Sequence, residues 1–154
     1  MGEHARASSG GTALMTAPQA AAPTAKTIRL MHAAMITGIV LFALVAHFVV
    51  RPSTAGAISI SPDIQRMLPG VALGAALVSL LLRGRVPRRS ASESPDSFWL
   101  KASSPALAMW AVAEGAGMLS VFMYGYLGVQ SGIGIAAIAV VIMIIMNPGR
   151  LERA

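Results

Sequence analysis

The chain has 154 residues, 55% of them hydrophobic and 12% charged, where an average soluble domain carries about 25% charged residues. Its apolar residues are bunched into runs that leave no polar face, which argues against a soluble domain and for an all-α polytopic membrane protein. The absence of cysteine excludes disulfides, thiolate metal sites and a cysteine nucleophile. The net charge of +6 lies in short segments between apolar runs, where basic residues set topology rather than bind nucleic acid.

Residues 1–26 are rich in Ala, Ser, Thr, Gly and Pro without a sustained apolar run, and are expected to form a disordered tail. Residues 30–50 then run without a formal charge between Arg29 and Arg51. At 1.5 Å rise per residue this segment spans about 30 Å, the thickness of a bilayer core. A second span is expected over about 64–83, started by Ser61 as N-cap, Pro62 at the first helical position and Asp63 beside the positive end of the helix dipole. Pro69-Gly70 would kink it. Residues 84–104 read as a polar cytoplasmic loop, with Phe98 and Trp99 on the membrane surface.

A repeated start signal, Ser104-Pro105, opens a third span over about 105–127. The fourth, about 130–146, is stopped by Asn147-Pro148-Gly149, and residues 148–154 form a short tail. The expected fold is therefore a four-helix transmembrane domain over 27–147, arranged up-down-up-down as two antiparallel hairpins. Arg6, Lys26, Arg29, Arg83, Arg85, Arg88, Arg89, Lys101, Arg150 and Arg153 fall on one side of it, and only Arg51 and Arg66 on the other. The positive-inside rule then puts both termini in the cytoplasm of a cell whose inner membrane holds the chain.

Small residues at spacing four supply helix-packing surfaces: Ala34 and Gly38, Gly70 and Gly74, Ala113 and Gly117, Gly132 and Ala136. The expected partners are the lipid bilayer and either further copies of the chain or other membrane subunits. Glu114, in WAVAEGAGMLSV, is the one acidic residue inside an expected span. An ionisable group at such a depth is a functional-site candidate by default. As a protonated carboxyl it could bond across helices to Thr37 or Ser79, which lie at similar depth; reached by water or a cation, it could handle a proton or ion. His32 and His47 are expected at the two interfaces, about 22 Å apart at helical rise, and Tyr124 with Gln130 would form an outer polar rim. No HExxH, GxSxG, P-loop or GxGxxG motif occurs and no carboxylate pair is placed for acid–base work, so neither enzyme, metal nor cofactor is expected.

RLMHAAMITGIVLFALVAHFVVRP, WAVAEGAGMLSVFMYGYLG and the closing PGRLE resemble a group of uncharacterised small bacterial four-helix integral membrane proteins. That resemblance implies fold and location and lends no activity. Ala113-Glu114-Gly115-Ala116-Gly117 is also similar in texture to the carboxylate helix of the rotary ATP synthase proteolipid, subunit c. There, however, the carboxylate lies in the second helix of its hairpin, and a polar loop stands where this chain has glycine and Gln130. Small multidrug exporters also carry four short helices and one membrane glutamate, but in the first helix. These likenesses imply proton or cation handling at Glu114 as the alternative to a non-catalytic packing or accessory role.

Overall fold

The computed structural model describes residues 23–54 and 58–153, and among these every regular element is a helix. Most of the expected N-terminal tail lies outside the described residues. Helix α1 covers Ala25–Thr54. Thr24 caps its start by accepting from the Thr27 amide, and the helix is α-helical to Val45, π-helical over Ala46–Val50 and closed by a last turn at Arg51–Thr54. Helix α2 covers Pro62–Leu82, with Pro62 in the first turn as expected, and runs on through Pro69 into a 3-10 turn at Arg83–Arg85. Helix α3 covers Pro95–Tyr126, α4 covers Ser131–Ile145, and a single turn, α5, covers Pro148–Leu151.

Helix α3 is the main departure from expectation, because it begins at Pro95 and not at Pro105. The helix start signal occurs twice, and the earlier copy is the one used: Ser94 accepts from the Ser97 amide at 3.2 Å and Pro95 takes the first turn. Pro105 is carried inside the helix. Burial compensates the hydrogen bond this proline removes. Phe98, Ala102, Ala106, Met109 and Ala113 recur at spacings of three and four, and all are fully buried. Phe98 and Trp99 are thus core residues, not residues of a surface loop.

At 32 residues and about 48 Å, α3 is the axis of the molecule. It packs against α1, α2 and α4, whereas α1 and α2 share no substantial contact with each other. The connection from α3 to α4 is short and reverses at Gly128, whose φ of 71° is the one positive value among the described residues. Just beyond it the two backbones meet closely: a Cβ at Gly132 would lie 2.3 Å from the Ser120 carbonyl oxygen. Gly117 makes the neighbouring approach, where a Cβ would meet Ile39 Cδ1 of α1 at 2.9 Å.

The outer surface is apolar. Among the described residues three helices are long and apolar enough to cross a membrane, and only 11% of the most apolar window of α1 and 17% of that of α2 are buried, against 50% for α3. Leu81 is 77% exposed, Leu30 and Phe48 70%, and Met67 67%. Soluble monomers rarely expose contiguous apolar surface on this scale. Helix α4 is shorter, 15 residues or about 22 Å.

Candidate functional site

Glu114 is partly buried on α3 and faces α1 at Gly38, where an added Cβ would lie 3.8 Å from its Oε1. Gly38 is the α1 residue that faces the carboxylate, and a Cβ there would make only an ordinary contact with it. Among the described residues the carboxylate has no hydrogen bond or ion pair. Thr37 is exposed, and Ser79, though fully buried, gives its hydroxyl to the Ala76 carbonyl of its own helix at 2.6 Å. The cross-helix bonds expected from depth are therefore not made: Ser79 is satisfied locally, and Thr37 is turned outward beside Gly38.

The small-residue pairs divide into two groups. Ala113, Gly117, Gly132 and Ala136 form the close packing of α3 with α1 and α4. On α2, Gly70 and Gly74 have nothing within 4 Å of an added Cβ, and Ala34 on α1 is exposed. These open positions leave part of the small-residue surface without a partner among the described residues.

The best-formed polar network lies at the end of the molecule where α1 and α3 begin and α4 ends. Glu152, just beyond α5, accepts from Trp99 Nε1 at 2.9 Å and pairs with Arg29 at 2.5 Å. Trp110 Nε1 donates to the Met146 carbonyl at 3.0 Å, and His32 Nε2 lies 3.0 Å from the Met143 carbonyl oxygen. The His32 ring also meets the Trp110 ring edgewise, at 4.8 Å between centroids. His32 is thus buried within the protein and bridges α1 and α4. Burial alone would push the Glu152 carboxyl up, but the Trp99 and Arg29 hydrogen bonds and the charges of Arg29 and Arg89 outweigh it and hold the group below its ordinary value. Glu93 is likewise lowered, chiefly by its hydrogen bond from Lys101 at 2.9 Å.

At the opposite end, His47 Nδ1 lies 2.5 Å from the Tyr124 hydroxyl, and the Arg51 guanidinium sits 4.2 Å from the Tyr124 ring centroid. Tyr124 therefore takes its partners from the π-helical part and the last turn of α1, not from Gln130. Two signals for these clusters were present in the sequence. The tryptophans at 99 and 110 lie about three helical turns apart on one face, and a glutamate follows the Asn-Pro-Gly stop. Neither carries meaning until the fold returns the C-terminal turn to the start of α1.

No group of three or more metal-ligating His, Asp or Glu side chains occurs among the described residues. No family model matches the chain, and no curated protein or solved structure matches it.

Proposed function

We propose that the chain is an integral inner-membrane protein of four spans, two antiparallel hairpins with both termini in the cytoplasm, and that it serves as a non-catalytic packing or accessory component of a membrane assembly. The observation that carries this reading is the surface of α1 and α2. Both helices present large apolar side chains outward, and α2 adds the open glycines Gly70 and Gly74. Lipid covers the apolar side chains, and a small-residue face lets a second helix approach closely. The test is purification in a mild detergent followed by native mass measurement: association with other copies or other subunits supports the reading, and a chain that is always solitary overturns the assembly part. A C-terminal reporter active only in the periplasm would overturn the orientation.

A second reading rests on Glu114, a partly buried carboxylate with no hydrogen bond among the described residues, facing Gly38. In this reading it binds a proton or cation in the membrane. Glu114→Gln keeps a hydrogen-bonding group and removes the titratable proton. Ion flux in reconstituted vesicles that depends on wild-type chain and is lost in Glu114→Gln supports it; flux that survives the substitution ends it.

A further inference from the structure

At the cytoplasmic end of α2 the structure contains a cavity of about 680 Å³, lined by Leu80, Arg83, Gly84, Val86, Pro87, Arg88 and Leu151. Its volume lies in the range of small-molecule sites. Two of its walls are cationic: neither Arg83 nor Arg88 has an ion-pair partner among the described residues, and no carboxylate lines the cavity. The remaining walls are apolar, with Val86 and Leu151 almost fully buried beneath it and Leu80 at its upper edge.

The backbone holds these groups in place. The turn at Arg83–Arg85 is closed by the bond from the Val86 amide to the Arg83 carbonyl at 3.1 Å. The segment that follows is tied at Arg89, whose Nε donates to the Glu93 carbonyl at 2.8 Å. Leu151, on the far side, belongs to the turn that Glu152 anchors to Trp99 and Arg29. The cavity is thus lined by two exposed arginines on a braced segment, beside the apolar side chains of Leu80, Val86 and Leu151. Leu80 and the 77% exposed Leu81 continue the outer apolar face of α2.

We propose that this cavity is a phosphate-anion site, in which Arg83 and Arg88 hold a phosphate group while its apolar substituents rest on Leu80, Val86 and Leu151. Guanidinium forks match the geometry of phosphate oxygens. A basic pocket at the cytoplasmic edge of a membrane helix suits the headgroup of an anionic phospholipid, whose chains would then lie along α2. The lipid source rests on the membrane reading given above; the anion site itself does not.

The test uses the full chain purified in a neutral detergent and titrated separately with phosphatidylglycerol, phosphatidylcholine and inorganic phosphate. Thermal unfolding and lipid retained in native mass spectra are the readouts. Wild type should bind phosphatidylglycerol in preference to phosphatidylcholine. Each arginine removed should weaken binding about fivefold, so Arg83→Gln with Arg88→Gln should weaken it about 25-fold. Arg150→Gln removes the same charge from the same end of the molecule but not from the cavity, and should leave binding unchanged. Saturation by inorganic phosphate, lost in the double variant and with no gain from lipid, would support the anion site and give it a soluble occupant. Equal weakening by Arg150→Gln, or equal binding of the two lipids together with no saturation by inorganic phosphate, would overturn the proposal. Extraction of the chain from membranes by alkaline carbonate would end the membrane reading alone and leave the phosphate titration interpretable.

Discussion

Glu152 and Glu114 are both carboxylates withdrawn at least in part from the surface, and the fold treats them in opposite ways. Glu152 receives an indole N–H and a guanidinium, so its charge is spent on holding the C-terminal turn to α1 and α3. Glu114 receives no hydrogen bond among the described residues and faces a glycine. The difference separates a carboxylate whose partners lie within the described residues from one that has none among them.

The sharpest way to break this comparison is to loosen the frame that positions both residues. Gly132→Ala would drive a Cβ to 2.3 Å from the Ser120 carbonyl oxygen, and because that atom is backbone the two helices must separate. The expected loss is about 3 kcal/mol, the upper end for overpacking, measured by denaturant titration in detergent. Gly38→Ala is the matched control, since its added Cβ would make an ordinary 3.8 Å contact, and it should be nearly neutral.

Next in size, Glu152→Ala orphans the buried Trp99 N–H and should cost about 1–3 kcal/mol. The Arg29 side chain is 57% exposed, so water takes over much of its share of the pair. Trp99→Phe removes the donor together with the need for it. Combined with Glu152→Ala it should cost less than the sum of the two single changes, which a double-mutant cycle reads directly.

A smaller effect follows from pH. The folded value of Glu152 lies below the unfolded one, so its contribution is complete above the ordinary carboxylate pKa and is lost as pH falls through the folded value. Wild type should therefore lose stability on acidification, and Glu152→Gln should lose less over the same interval. Equal slopes would show that this carboxylate is not the group responsible.

The smallest expected change is at Glu114. With no hydrogen bond among the described residues to break, Glu114→Ala should alter stability by less than about 0.5 kcal/mol, the range of substitutions that touch no special feature. A loss as large as that of Glu152→Ala would collapse the contrast between the two residues.

Much of the helical layout was legible because long apolar runs bounded by arginine or by Ser-Pro and Asn-Pro-Gly leave few alternatives. The second helix begins at Pro62 as its start signal indicates. The third was misjudged because hydropathy weighs composition and not facing. Residues 95–104 are polar on average, yet they place Phe98, Trp99 and Ala102 on the buried face that continues through Ala106 and Met109. Reading Phe98 to Ala113 for its three-and-four spacing would have extended the helix. The site was less legible still. Depth along a helix puts Thr37, Ser79 and Glu114 at one level but gives no rotation about the axis. Rotation decides that Gly38, rather than Thr37, meets the carboxylate. The Glu152 network joins residues more than 120 positions apart, as its bond to Arg29 shows, and no local pattern encodes such a pairing.

The widened turn at Ala46–Val50 gives α1 one more property. An α-helix advances about 100° per residue, so the extra residue accommodated in a π-turn resets the angular phase of everything after it. The stretch that packs Ile28, His32 and Ile39 inward and the stretch that brings Arg51 over Tyr124 are thus two rotors on one shaft, clocked independently. Deleting a single residue within 46–50 would let that turn close as ordinary α-helix and keep Arg51 over the tyrosine ring, whereas a deletion in the α-helical stretch before it would turn Arg51 away.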